Sequence, residues 1–302
     1  MNQLLCGLLL LCSLTVIASE HFSDHESFCL ELAEENCLMQ INTHLAASQI
    51  HSIKWYKIKS YQLDYYYDKG NYAALKAAID PYIDDQTLPK VFKVQTYFYY
   101  AKALRYFNDN QQAKVYADKA FNELNMMYQS FNNPLRMVEL ANLQYVFGDL
   151  TLASDILKQA QSRFEKSKDP IFHFELHSNK GHVFHALGDI ENAAKSRQLA
   201  VEWILTTDHK SKKSVALSNL ARTYQLLFKY QLAEQYYVDS LLYLDADEDA
   251  SQLSIYTLRL AEISWQANNN KQAIKWLNKV EKRYLQRNHL LLYEQLNADL
   301  AL

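Results

Sequence analysis

The stretch NKGHVFHALGDIENAAKSRQLA, from Asn179 to Ala200, decides the fold of this chain. Small residues stand at Gly181, Ala193 and Ala200, and Gly188-Asp189 separates two segments with apolar residues at helical spacings. Glycine readily takes the left-handed conformation that ends a helix, and small side chains let two helices approach closely. The stretch therefore predicts a helical hairpin.

The same pattern recurs every 40 residues along the chain. One column of small residues is formed by Ala113, Ala153, Ala193, Ala233 and Ala273. Twelve residues before each of these stands a second column, Ala101, Ala141, Gly181, Ala221 and Ala261. A fixed step of this kind indicates one structural unit stacked several times, so the sequence predicts five consecutive helical hairpins from Pro89 to Tyr284.

The turns inside the hairpins carry residues that tolerate a left-handed backbone. They are Asn108-Asp109, Gly148-Asp149, Gly188-Asp189 and Asn268-Asn269. Phe228-Lys229 interrupts the pattern, and packing of the aromatic ring is the expected way to hold that turn. Between hairpins, Asn133-Pro134 and Asp169-Pro170 place a capping side chain before a first-turn proline, which predicts new helices there.

These columns resemble the tetratricopeptide repeat, although that family's usual period is nearer 34 residues. The resemblance implies an all-α fold, an α-solenoid of TPR-like helical hairpins wound as a right-handed superhelix. We expect a repeat array over 51–284 with about six hairpins, the first and weakest of which turns at Gly70 and has Leu75 in the alanine column. A helical cap over 20–50 and a capping helix over 285–302 complete the expected organisation.

Residues 1–19 read as a secretory signal peptide. Their apolar run, from Leu4 to Ala18, has 15 residues and is shorter than a spanning helix needs. No small residue precedes Cys6 or Cys12 as a lipid-attachment site requires, and no later segment reads as a membrane span. The expected location is therefore outside the cytoplasm, most simply the periplasm.

Two cysteines, Cys29 and Cys37, follow the signal segment. An oxidising compartment favours pairing them, but one continuous helix would hold them about 12 Å apart, too far for a disulfide. A bridge therefore requires a helix break over 34–36, and two buried free thiols are the alternative.

Composition excludes several functions. The net charge is -3 and no long basic block occurs, so the footprint of a nucleic-acid binder is missing. The charged runs over 209–213 and 245–250 are interpreted as solvated loops rather than sites. The sequence contains no nucleophile elbow, phosphate-binding glycine loop, H-E-x-x-H or C-x-x-C motif, which predicts a chain without enzymatic activity or cofactor.

The family resemblance implies that the first helix of each hairpin lines a concave surface. Carried over to this chain, the inward positions are Phe98, Lys102, Arg105, Tyr106, Asn142, Tyr145, His182, His185, Arg222, Gln225, Glu262 and Trp265. Aromatic rings beside cations and amides suit a peptide or another polar ligand, although the same rings could simply pack between helices. The predicted function is a scaffold for protein–protein interaction that binds a protein or peptide partner on this surface.

A histidine-rich segment offers an alternative function. His173 and His177, and then His182 and His185, are spaced so that each pair shares a helical face and could hold a metal ion. This would make the chain a sensor or carrier for a metal or small ligand, centred on His182 and His185. The simpler interpretation is a set of solvated or core histidines without a metal.

Overall fold

The computed structural model describes residues 24–32, 36–131 and 133–300. These residues form fifteen α-helices and one short 3-10 turn, and no strand occurs among them. The helices are α1 (His25–Leu32), α2 (Cys37–Ala46), α3 (Ile53–Asp68), α4 (Tyr72–Ile79), α5 (Lys90–Tyr106), α6 (Asn110–Phe131), α7 (Pro134–Phe147), α8 (Leu150–Arg163), α9 (Pro170–Ala186), α10 (Ile190–Ile204), α11 (Lys210–Leu226), α12 (Tyr230–Leu241), α13 (Ala250–Gln266), α14 (Asn270–Leu277) and α15 (Arg287–Asp299). The predicted all-α solenoid of tandem hairpins is confirmed.

The small-residue columns lie at the seams between helices. All five alanines of the column that begins at Ala113, and all four alanines of the column that begins at Ala101, are completely buried. A methyl group is the largest side chain that such a close helix crossing accepts without pushing the axes apart. At Gly181 even a methyl is too large, because a Cβ there would lie 2.7 Å from Cγ of Arg197 on α10.

Five of the hairpin turns share one backbone geometry, with a residue in the left-handed region. Gly70, Asn108, Gly188, Phe228 and Asn268 have φ values of 67°, 65°, 80°, 57° and 60°. The residue after each donates its backbone N–H to a carbonyl five residues earlier, over 2.8–2.9 Å. This is the Schellman arrangement, which satisfies carbonyl groups left over at the end of a helix.

Two expectations about the turns are wrong. Phe228 is 77% exposed, so packing of its ring does not hold the turn, and the residue takes the left-handed conformation despite its side chain. Gly148 has a φ of -134° and does not enter the left-handed region. There the side chain of Gln144 accepts the backbone N–H of Asp149 over 3.2 Å, which takes the place of the Schellman bond.

The linkers follow their capping residues. Helix α7 begins at Pro134 and α9 at Pro170, and the side chains of Asn133 and Asp169 each accept a backbone N–H from the first turn over 2.9 Å. Helix α4 ends at Ile79, because the following Asp80-Pro81 cannot continue it.

The amino-terminal cap is a pair of short helices. Helix α1 ends at Leu32, α2 begins at Cys37, and a disulfide joins Cys29 to Cys37 with their Cα atoms 5.4 Å apart. The proposed signal segment 1–19 lies outside the described residues. None of the described helices is long and apolar enough to cross a membrane.

The solenoid closes on itself, because its first helices contact its later ones. At the start of α11, Lys212 forms an ion pair with Asp24 over 2.8 Å, and the backbone N–H of Ser211 donates to Glu26 over 2.9 Å. A second contact joins Lys69, after α3, to Asp249 before α13 over 2.6 Å. The interpretation of 209–213 and 245–250 as solvated loops is therefore wrong at Ser211, Lys212 and Asp249, which hold the amino-terminal helices, whereas the stretch 245–247 is exposed. We call these bonds the closure contacts.

Candidate functional site

The inner face of the solenoid forms a half-open cavity of about 340 Å³. Its wall is built by α3, α5, α7, α9 and α11, which are the first helices of successive hairpins, and Asp24 beside α1 completes it. This volume lies within the range of about 300–1,000 Å³ that small-molecule sites usually have. The cavity is therefore the candidate site.

Four of the predicted concave residues line the cavity: Phe98 and Lys102 on α5, Asn142 on α7 and His182 on α9. Tyr145 stands behind His182, and their rings stack with centroids 5.6 Å apart. Tyr106 instead stacks on Tyr72 over 4.5 Å, outside the cavity.

The other predicted residues do not line the cavity. Arg105 and His185 are exposed, and Arg105 donates to the backbone carbonyl of Val146. Further along the array, side chains of α11 bond to α13: Arg222 pairs with Glu262 over 3.4 Å and Gln225 donates to Gln266 over 2.8 Å. Trp265 packs in the apolar cluster of the last repeats. These residues join neighbouring hairpins.

A chain of hydrogen bonds crosses the cavity wall from helix to helix. The ammonium of Lys102 donates to the hydroxyl of Tyr67 over 2.9 Å and to the amide oxygen of Asn142 over 2.8 Å. The amide of Asn142 donates to that of Asn179 over 2.6 Å, and Asn179 donates to the backbone carbonyl of Glu175 over 2.8 Å. We call Tyr67, Lys102, Asn142 and Asn179 the polar ladder, which fixes α3, α5, α7 and α9 relative to one another.

Burial shifts the titration of several cavity groups. It raises the pKa of Asp64 to about 7, although Tyr99 donates a hydrogen bond to that carboxylate, and it raises the pKa of Glu175 to about 7. It lowers the pKa of Lys102 to about 8 and, together with the charge of Arg197, lowers the pKa of His182 to about 3. At neutral pH His182 is therefore an uncharged ring.

His182 has a defined tautomer. Nη2 of Arg197 lies 3.4 Å from its Nδ1, and a guanidinium can only donate, so Nδ1 accepts and the ring carries its proton on Nε2. The imidazole thus offers a neutral N–H donor beside the carboxylates of the cavity.

The sequence patterns missed several cavity residues. The missed positions on the repeat helices include Glu139, Ile171, Phe174, Glu175, Ser211, Lys212, Val215 and Asn219. Most of them lie on the same helical faces as the predicted positions. They stand one to three turns nearer the start of each helix, at steps of three or four residues from a predicted position. Extending the concave stripe by that step would have found them. Nothing in the sequence pattern would have placed Asp24 there, because its position depends on closure.

The histidine-rich segment is divided among separate environments. His173 stacks on Trp203 with ring centroids 4.1 Å apart, and its Nε2 bonds to the backbone carbonyl of Ser167 over 2.8 Å. His177 is buried, His182 faces the cavity and His185 is exposed. In the described part of the chain, no group of three or more histidine, cysteine, aspartate or glutamate side chains is arranged to hold a metal ion.

The hairpins, their seams and their order define a tetratricopeptide-like α-solenoid. No protein-family model and no curated protein matches this sequence. The solved structures, in contrast, contain similar folds.

Three structures represent this similarity. Cut9, in the APC/C hetero-tetramer Cut9–Hcn1, matches 90% of this chain with 17% identity and a TM-score of 0.57, and the match spans 48% of the Cut9 chain. NprR in complex with its cognate peptide NprX matches 91% of this chain and 82% of its own, with 16% identity and a TM-score of 0.54. A Rap protein complexed with the competence and sporulation factor matches 88% and 78%, with 15% identity and a TM-score of 0.56. At these identities the similarity establishes the fold.

Proposed function

We propose that this chain is a non-catalytic interaction scaffold that binds a peptide, or an extended segment of a partner protein, in its central cavity. The single observation that carries the proposal is the half-open central cavity whose wall is crossed by the polar ladder. The function does not require a cofactor.

The chemistry of the wall supports a peptide. Asparagine amides and the neutral His182 offer both donors and acceptors, which suit the alternating N–H and C=O groups of a backbone. Between them stand the rings of Phe98 and Phe174 and the aliphatic side chain of Val138, which can receive apolar side chains. Because the polar ladder already holds its helices in place, little ordering is required when a ligand enters.

Two of the similar folds add circumstantial support. NprR is described with the peptide NprX, and the Rap protein with the competence and sporulation factor. Both matches extend over most of this chain and most of the neighbour. A solenoid of this fold is therefore compatible with peptide binding.

The proposal can be tested with a mixture of randomised hexapeptides offered to the immobilised protein, the retained peptides being identified by mass spectrometry. We expect retention by the wild type and a clear loss in Asn142→Ala, which interrupts the polar ladder. Asn122→Ala, on the exposed face of α6, is the matched control and should retain the same peptides. Absence of any retained peptide, or equal retention by both variants, would contradict the proposal.

We also propose that the protein works outside the cytoplasm, most simply in the periplasm. The apolar segment from Leu4 to Ala18 and the pairing of Cys29 with Cys37 support this location, since disulfides persist in oxidising compartments. Mass spectrometry of the mature protein should find an amino terminus close to Glu20. An intact amino-terminal segment in protein recovered from the cytoplasm would refute export.

A further inference from the structure

The carboxylate of Glu175 differs from the other acids of the cavity, because it has no partner. Asp24 pairs with Lys212 over 2.8 Å and Glu139 with Arg136 over 2.5 Å. Among the described residues, no side chain or backbone group forms a hydrogen bond or an ion pair with the carboxylate of Glu175, which lines the cavity near the middle of α9.

Asp64 and Asp68 face the same cavity from α3. Asp64 accepts hydrogen bonds from the hydroxyl of Tyr99 and from the amide of Gln95, the latter over 3.0 Å, and both donors are neutral. Asp68 lies 3.8 Å from a ring nitrogen of His25, whose pKa burial lowers to about 4, so that this ring is uncharged at neutral pH. Neither carboxylate is neutralised by these neighbours.

Above about pH 7, where Asp64 and Glu175 are ionised, the cavity therefore carries an excess of negative charge. Five acids line it, Asp24, Asp64, Asp68, Glu139 and Glu175, against two lysines. Lys212 is matched by Asp24, and Glu139 by an arginine outside the lining. Of the lining residues, the carboxyl groups of Asp64, Asp68 and Glu175 then remain, with the single positive charge of Lys102 to balance them.

Lys102 is held away from Glu175 by its own partners. Its ammonium bonds to Tyr67 and Asn142 and lies over the ring of Phe98, 4.5 Å from the centroid. Moving it toward Glu175 would break two hydrogen bonds and a cation–π contact. Glu175 is thus left without an ion-pair partner, while Lys102 and Lys212 are bonded to other groups.

Apolar residues line the same cavity as this acid. Ile171 and Phe174 precede Glu175 on α9, and Leu135 and Val138 line the cavity from α7. A ligand that combines an apolar body with one positive group matches this lining, since it would pair with the ionised carboxylate of the half-buried Glu175, whereas a neutral ligand would leave that charge without a partner.

We propose that the cavity selects peptides that carry an ammonium group, placed as the ion-pair partner of Glu175 with its adjoining alkyl chain among the apolar residues. This inference rests on the proposed peptide-binding function and names the ligand class. The ammonium can come from the amino terminus of the peptide or from a lysine side chain, and both sources present the same chemistry to the carboxylate.

Three forms of one randomised hexapeptide mixture test the inference: free amines, acetylation of the amino terminus alone, and acetylation of all amines. We expect the wild-type protein to retain the free mixture and to lose at least about tenfold of the binding when every amine is acetylated. The mixture acetylated only at the terminus distinguishes the sources, since a lysine-directed site keeps binding it and a terminus-directed site does not.

Variants link the effect to one carboxylate. Glu175→Gln should reduce retention of the free mixture at least about tenfold while the thermal midpoint stays the same or rises at pH 8, which separates lost binding from lost folding. Glu165→Gln, in the exposed turn after α8, should bind as the wild type does. Equal retention of free and fully acetylated mixtures would overturn the charge selection and leave peptide binding intact. Retention of neither mixture would overturn both.

Discussion

Replacing Glu175 by glutamine should change how the stability of the protein depends on pH, even without a ligand. Burial raises the pKa of Glu175 from 4.5 to about 7, the charges of Asp68 and Glu139 add to this, and Lys212 and Lys102 oppose it. Between these two values the folded protein keeps a proton that the unfolded chain has lost. The contribution of Glu175 to the free energy of unfolding is therefore fully present below about pH 4.5. It is lost as the pH rises through about 7.

The size of the effect follows from the same two pKa values. One pKa unit corresponds to about 1.36 kcal/mol, so the rise from 4.5 to about 7 sets a ceiling of about 3 kcal/mol. The cavity is half open, so solvent screens part of this, and we expect about 1–3 kcal/mol. Glutamine cannot ionise, so the variant should gain this amount relative to the wild type between pH 4 and pH 8.

Urea denaturation followed by far-UV circular dichroism at several pH values measures this difference. The wild-type profile alone is not sufficient, because burial lowers the pKa of His25 and of His177 to about 4, and these groups destabilise the fold as the pH falls from 6.5. Subtracting wild type from variant cancels them. A difference that stays flat from pH 4 to pH 8, equal to that of Glu165→Gln, would refute the reasoning.

Three further predictions concern the scaffold. Phe228→Asn should stabilise the protein by about 1 kcal/mol in chemical denaturation, because it removes an aromatic residue from a left-handed position. Asn268→Phe at the equivalent turn should destabilise the protein by a similar amount. Denaturation midpoints equal to that of the wild type would contradict this. Gly181→Ala should lower the free energy of unfolding by about 1–3 kcal/mol, since the new Cβ displaces Arg197. In an Arg197→Ala background the same Gly181→Ala substitution should cost less. Reduction of the disulfide should lower the thermal midpoint by the equivalent of about 2–4 kcal/mol, with no change in a Cys29→Ser variant as control.

The hairpins could be predicted from the sequence because the signal that forms them is local. A buried alanine at Ala153 or Ala233 reports a close helix crossing within its own repeat, and each crossing is copied 40 residues later. The turns were less regular for an equally local reason. Gln144 can replace one backbone bond with its side chain, and the backbone bond from Lys229 to Tyr224 closes the turn around Phe228, whose residue type disfavours the left-handed conformation.

The cavity could be predicted only in part. Phe98, Lys102, Asn142 and His182 follow from the family's concave positions because their place depends on one helix. Asp24 does not, since it meets Lys212 only after the small rotation between repeats has accumulated over the hairpins from α3 to α10. A short charged run in such a protein has two possible surroundings, and the sequence around it does not distinguish solvent from a distant turn of the same solenoid.

The closure contacts connect the amino-terminal cap to the chemistry of the site. Lys212 is the cation with the largest effect on Glu175, and it lowers the pKa of that carboxyl. Although burial alone would lower the pKa of Lys212, the carboxylates of Asp68 and Asp24 raise it, and its ammonium is bonded to Asp24. Asp24 therefore holds the largely buried ammonium of Lys212, and without α1 that lysine would be free to pair with the other acids of the cavity. On this argument the disulfide-bonded cap does more than cover the end of the array, because it keeps Glu175 without a partner.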